Sequence, residues 1–209
     1  SPIENKLTAS DGGPGDSFGF SVSIDGDTAL IGAQNGNGTG TAYVYVRNNG
    51  AWNEEQKLTP SDVASSDSFG NSVFISGNNA LIGAPGDDDN GYQSGSAYVY
   101  VRNDGVWTEQ QKLTPSHGNK NDYFGSSVSL NGDTALVGAP DNGAYLGSAY
   151  IYVLSNGLWS QQAKLTASDG NTYDYFGATV SVNGDTALVG APASVNPGAA
   201  YVYLRNNGV

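Results

Sequence analysis

The chain has 209 residues, 38% of them hydrophobic, which is enough to bury the core of one domain. Eight Lys and Arg against 20 Asp and Glu leave a net charge of -12, which repels nucleic-acid phosphates and anionic membrane surfaces. Cysteine is absent, so a disulfide framework, a thiolate metal site and a cysteine nucleophile are all excluded.

A K-L-T triplet recurs at Lys6, Lys57, Lys112 and Lys164, at spacings of 51, 55 and 52 residues, and a further 51 lead from Lys164 across the chain ends back to Lys6. Self-similarity at this period marks a repeat architecture. A single domain over 1–209 is expected, with repeats at about 9–59, 60–114, 115–166 and 167–209, the last joined by 1–8.

In chain order, the first eight residues read as the final strand of a unit whose other strands lie at the far end of the sequence. The third unit shows the full pattern. Phe124 to Leu130 is β-prone and ends at Asn131-Gly132, a two-residue hairpin signal because a type I′ turn needs two positive φ angles. A second strand runs from Asp133 to Pro140. After a longer loop, Ser148 to Val153 alternates aromatic and β-branched residues with period two. Asn156-Gly157 turns the chain into a fourth strand, Trp159 to Thr166.

The reading is all-β: a four-stranded antiparallel meander repeated four times, with no segment of helical period. A radially repeated meander is a β-propeller blade, and a flat solenoid is the alternative. The N-terminal strand is expected to clasp the last blade and leave no open edge. Trp52, Trp107 and Trp159 open the other fourth strands, whereas Ser1 stands in that place at the seam, so the clasped blade is expected to open first. Four blades closing within one chain, as a monomer, is preferred to two chains sharing an eight-bladed ring.

The loops alternate between two faces. One carries short, nearly constant turns; the other carries the variable loops 35–40, 86–95, 141–147 and 193–198 and the stretches before each Phe-Gly. Five of the 13 tyrosines, Tyr92, Tyr123, Tyr145, Tyr173 and Tyr175, and 11 of the 16 aspartates fall on this second face. Variable loops on a rigid scaffold are where recognition usually resides. The candidate ligand-binding residues are these five tyrosines with Asp87, Asp88 and Asp89. The acidic run lacks the spacing of a calcium loop and reads more naturally as solvated charge. The Asp preceding each Phe-Gly is expected to cap its own loop backbone.

Each unit carries Asp-[Ser/Tyr]-Phe-Gly, at Asp16 to Gly19, Asp67 to Gly70, Asp122 to Gly125 and Asp174 to Gly177. Each then carries Gly-Ala-Pro, at Gly83, Gly138 and Gly190, or the variant Gly32-Ala33-Gln34. The pattern resembles the FG-GAP repeat, the blade of integrin α-subunit propellers and of many bacterial surface proteins. The resemblance implies extracellular or cell-surface recognition, of bacterial surface type, rather than catalysis. Calcium sites do not carry over, because a two-residue turn cannot wrap six or more oxygens around the ion.

No catalytic residue, metal site or cofactor is expected. His117 is the only histidine, and no nucleophile-elbow or zincin motif is present. The main expectation is a recognition or adhesion module for a glycan or protein, with no nucleic-acid partner. No apolar run nears the about 18 residues of a membrane span, so no insertion is expected. A structural unit of a longer or engineered array is the first alternative, and a polysaccharide-active enzyme using paired carboxylates the second.

Overall fold

A computed structural model describes residues 4–62, 64–141, 145–193 and 197–206. The first sheet contains β1 (Phe18–Asp25), β2 (Thr28–Ala33), β3 (Thr41–Asn48) and β4 (Ala51–Leu58). The second contains β5 (Ser72–Ser76), β6 (Asn79–Ala84), β7 (Ser96–Asn103) and β8 (Val106–Leu113). The third contains β9 (Ser127–Asn131), β10 (Thr134–Ala139), β11 (Ser148–Ser155) and β12 (Leu158–Leu165), and the fourth β13 (Thr179–Asn183), β14 (Thr186–Ala191) and β15 (Ala199–Leu204). Each sheet is an antiparallel meander in sequence order, three of four strands and the last of three.

The turn chemistry differs between the two hairpins of a sheet. Between the third and fourth strands, Asn156 and Gly157 take φ of 53° and 80°, the paired left-handed geometry of a type I′ turn. Between the first and second strands the turn is Gly132-Asp133, one residue later than the Asn-Gly signal placed it, because Asn131 pairs with Thr134. Only Gly132 is left-handed there, at φ 54°, which matches type II′, with glycine first.

Neighbouring sheets meet through backbone. A Cβ on Gly32, Gly83 or Gly138 would lie 2.0, 1.9 or 2.0 Å from the carbonyl oxygen of Gly70, Gly125 or Gly177 on the next sheet. The Oγ of Ser21, Ser72 and Ser127 donates to the same three carbonyls at 2.8, 2.7 and 2.8 Å. Parallel bridges Gly40 to Phe69, Gly95 to Phe124 and Gly147 to Phe176 complete each seam. Apolar side chains fill the space beside these contacts: Leu30, Val44 and Leu58 pack on Phe69, Val73 and Ile75, and the second and third seams repeat the pattern. Each buried Phe packs against a tyrosine pair, Phe124 edge-on at 5.5 Å from Tyr150 and 6.1 Å from Tyr152.

The fourth strands carry the remaining link. A bulge beside Tyr45, Tyr100 and Tyr152 interrupts the register and turns one side chain toward the next sheet. Glu55 thereby accepts from the indole of Trp107 at 3.2 Å, and Gln110 from that of Trp159 at 3.1 Å. Both indoles are buried.

The expected clasp is not made in this structure. Residues 4–9 lie in no strand, and β13, β14 and β15 stand as a three-stranded sheet; residues 1–3, including the Ser1 position, fall outside the described residues. The N-terminal segment rests on the first sheet instead, with Leu7 and Ala9 packed beside Tyr43 and Tyr45 and the Tyr45 hydroxyl donating to the Thr8 carbonyl at 2.8 Å. The same bond ties Tyr100 to Thr59, Tyr152 to Thr114 and Tyr203 to Thr166, each time joining a sheet to the end of the preceding fourth strand. The segment thus occupies an incoming strand's seat on the first sheet, while β15 lies at the opposite end of an open stack.

Candidate functional site

The loop face is built on a repeated cap. Asp16, Asp67, Asp122 and Asp174 each accept a hydrogen bond from the backbone N–H three residues earlier, at 2.7, 2.7, 2.8 and 2.6 Å. This is the self-capping expected of the Asp before Phe-Gly, and it folds each loop tightly ahead of its buried Phe. The next residue is left-handed in every unit: Ser17, Ser68, Tyr123 and Tyr175 have φ between 53° and 60°.

Burial sets the charge state of these caps. Asp122 is almost fully buried, and its Oδ1 has no hydrogen-bond partner among the described residues. Burial raises its carboxyl above the usual range, against the opposing pull of the Asn119 N–H and the Lys164 ammonium. A carboxyl raised on folding favours the folded state when protonated and opposes it once pH exceeds the raised value. Asp122→Asn is therefore expected to raise the thermal midpoint at pH 7, with the gain disappearing as pH falls below 3.8 in paired melting curves.

All five candidate tyrosines gather around the second, third and fourth sheets. Tyr145 stacks on Tyr173 at 5.0 Å with 20° between planes, and its ring centre is 5.5 Å from that of Tyr175. Tyr123 donates to Gln93 Oε1 at 2.7 Å, and burial, then Asp141, Tyr92 and Tyr145, push its hydroxyl above the ordinary value. Tyr92, Tyr145 and Tyr173 are exposed. Tyr123, Tyr145, Tyr173 and Tyr175 all have φ between 53° and 72°, an uncommon conformation for bulky side chains that the repeat imposes, since their equivalents Ser17, Ser66, Ser68 and Gln93 share it.

Asp87, Asp88 and Asp89 have partners of their own. Lys112 Nζ lies 2.6, 2.8 and 2.6 Å from carboxylate oxygens of Asp62, Asp87 and Asp89, so the point on which three carboxylates converge is filled by an ammonium. The Tyr98 hydroxyl shares its one proton between Asp62 and Asp87, each carboxylate oxygen 2.9 Å away. Burial alone would raise Asp62, but the bonds from Lys112 and Tyr98 outweigh it and hold that carboxyl below the usual range. Asp88 accepts from the backbone N–H of Gln93.

This network belongs to a triad in the repeat. Asp11 accepts from Tyr43 at 2.8 Å and Lys57 at 2.6 Å, and Asp169 accepts from Tyr201 at 2.8 Å. The signal in the sequence is an Asp five residues after the triplet Lys, at Asp11, Asp62 and Asp169, a spacing that the K-L-T reading stopped short of. The third unit has His117 there instead. His117 is exposed and bonded to Ser116, and the buried Tyr150 hydroxyl has no partner among the described residues.

A sequence model described as the FG-GAP repeat matches residues 3–45, 52–100, 107–152 and 159–203. The last three matched stretches begin on β4, β8 and β12, and all four end on a tyrosine-bearing third strand. Human integrin alpha-11 is 30% identical over 176 residues, covering 76% of this chain and 15% of that protein. The chain thus spans a small part of the relative's length.

Proposed function

The chain belongs to the FG-GAP repeat family, and from that premise we propose that it is a non-catalytic recognition module of propeller type, acting outside the cell, whose loop-face tyrosines bind a glycan. The observation that carries this reading is the gathering of Tyr92, Tyr123, Tyr145, Tyr173 and Tyr175, with Tyr145 stacked on Tyr173 and beside Tyr175. The left-handed backbone is common to the repeat, being shared by Ser17, Ser66, Ser68 and Gln93; what distinguishes these loops is that the same positions carry aromatic rings. Flat exposed rings stack on sugar faces, and the Gln93 side chain stands beside them for hydroxyl contacts. The family and the integrin relative support a binding role over an enzymatic one.

A glycan panel followed by titration calorimetry tests this. Tyr145→Ala removes the ring shared by Tyr173 and Tyr175 and is expected to weaken the best ligand by about tenfold or more. Unchanged affinity for that variant and for Tyr92→Ala would remove the tyrosine surface from consideration. The second reading, a unit of a larger assembly, is favoured by a separate observation: the two end sheets of the stack are open.

A further inference from the structure

Three of the units hold a carboxylate of their own against the inner tyrosine of the third strand. The hydroxyls of Tyr43, Tyr98 and Tyr201 lie 2.8, 2.9 and 2.8 Å from carboxylate oxygens of Asp11, Asp62 and Asp169, and Lys57 and Lys112 donate to the first two carboxylates at 2.6 Å. The remaining unit keeps both donors and lacks the acceptor. Its tyrosine is Tyr150, 1% exposed, whose hydroxyl has no hydrogen-bond partner among the described residues. Its lysine is Lys164, 5.4 Å from the Tyr150 ring, as Lys112 is from that of Tyr98. Among the described residues Lys112 has three carboxylates in ion-pair range and Lys164 has none. His117 stands in the Asp position and is bonded to Ser116 at 3.0 Å.

A buried hydroxyl left without a partner destabilises the fold that contains it. A phenol and an ammonium placed as in the neighbouring units present two donors to one point, and a carboxylate is the group that the repeat puts there. We infer that the third unit takes this carboxylate from its ligand: the acid group of a uronic-acid residue accepts from the Tyr150 hydroxyl and the Lys164 ammonium, in the place that Asp62 holds in the second unit. The inference rests on the glycan reading above and adds to it the charge of the sugar.

The position faces solvent in the repeat, since the Asp11 and Asp62 side chains are 49% and 34% exposed. Asp141 connects it with the tyrosines. Its carboxylate accepts from the Tyr145 N–H at 3.2 Å and lies within electrostatic reach of Tyr123 and of Asp122, which Lys164 also reaches. The loop that carries Tyr145 is thereby anchored beside the seat. Charge permits the guest as well. Asp62, Asp67, Asp87 and Asp89 surround Lys112, whereas Asp122 and Asp141 stand near Lys164, so one added carboxylate leaves the third unit less acidic than the second. The net charge of -12 opposes a polyanion, but fields decay within about 8 Å at physiological salt. A glycan with isolated acid groups meets both conditions.

Acetate is the minimal probe. In an NMR titration of the whole chain with labelled tyrosine rings, sodium acetate is expected to shift Tyr150 saturably, and sodium chloride at equal ionic strength is not. Absence of a saturable shift at Tyr150 overturns the carboxylate seat. His117→Asp supplies the acid from within and is expected to abolish the acetate response while raising the thermal midpoint. An undiminished response in folded His117→Asp protein overturns the assignment of the seat to the Asp position. Calorimetry then compares cellobiouronic acid with cellobiose, the same rings without the acid. A preference of about tenfold or more for the acid is expected, and Tyr150→Phe, which removes only the unpaired hydroxyl, should reduce it. Equal affinity for the two sugars, with both still weakened by Tyr145→Ala, overturns the acid group and leaves the tyrosine reading standing. An aspartate-bearing peptide that binds as tightly as cellobiouronic acid overturns the glycan as its source.

Discussion

Gly83→Ala is expected to lower the stability of the chain by about 3 kcal/mol, read as a lower denaturant midpoint at unchanged slope. The new Cβ would lie 1.9 Å from the Gly125 carbonyl oxygen and 2.4 Å from Ser72 Oγ, which itself donates to that carbonyl. The carbonyl has little freedom to retreat, because the Gly125 N–H is bonded to Gly138 at 3.0 Å. An alanine in a strand would otherwise gain about 0.5–1 kcal/mol over glycine, so the clash must exceed that benefit. Gly190→Ala is the control. Its nearest contact is the rotatable Thr179 Oγ1 at 2.3 Å, with no following sheet in the single stack, and a change within about 1 kcal/mol is expected in dilute solution. Equal costs for the two substitutions would show that the seam is not the cause.

Lys112→Ala is expected to cost about 3–5 kcal/mol, the range for removing one member of a buried ion pair. Asp87 is nearly inaccessible, with its side chain 3% exposed, and would be left charged beside Asp62 and Asp89. Lys164→Ala isolates the origin of the effect. Lys112 and Lys164 both sit 5.4 Å from the ring of their tyrosine, but His117 stands where the triad Asp does in the third unit, and Lys164 is exposed beside the buried Asp122 that its charge stabilises. Lys164→Ala should therefore cost less than Lys112→Ala, about 1 kcal/mol. The pH dependence has a fixed sign. Because Asp62 is held low, the contribution of Lys112 is present at neutral pH and is lost as pH falls through the lowered value, below 3.8. Equal losses for the two lysines in urea titrations would locate the stabilisation in the cation–π contact instead.

The fold was legible where local chemistry alone decides it. Period-two runs such as Ser148 to Val153 and the Asn156-Gly157 turn became β11 and its hairpin, because alternation and positive φ act over a few residues. The Asn131-Gly132 signal was read one residue early: strand pairing takes Asn131 into the ladder and leaves Gly132 to begin the turn, and that choice is made by the register of the whole sheet. The clasp was legible as a missing strand but not as the place where the strand comes to rest. Leu7 and Thr8 find their partners on the first sheet, more than thirty residues away in sequence, where no local rule reads them. In the candidate site, the tyrosines were identified by the face on which their loops emerge, and the fold brought them together. Asp89 is the surface charge that the sequence suggests, whereas Asp87 is buried against Lys112, a partner 25 residues away that no local pattern reveals.

The seams have a further implication for how such a chain can change over generations. Each consists of a glycine carbonyl, a serine hydroxyl and a glycine bridge set against backbone, and none of these parts depends on the loops above. A unit can therefore be duplicated, deleted or exchanged for another without its neighbours having to adapt, since every joint presents the same surfaces. The loops, including those that carry the tyrosines, are free to diversify on an unaltered chassis. Transplanting the third unit into the place of the second would move its loop chemistry by one station around the stack while leaving the joints as they are.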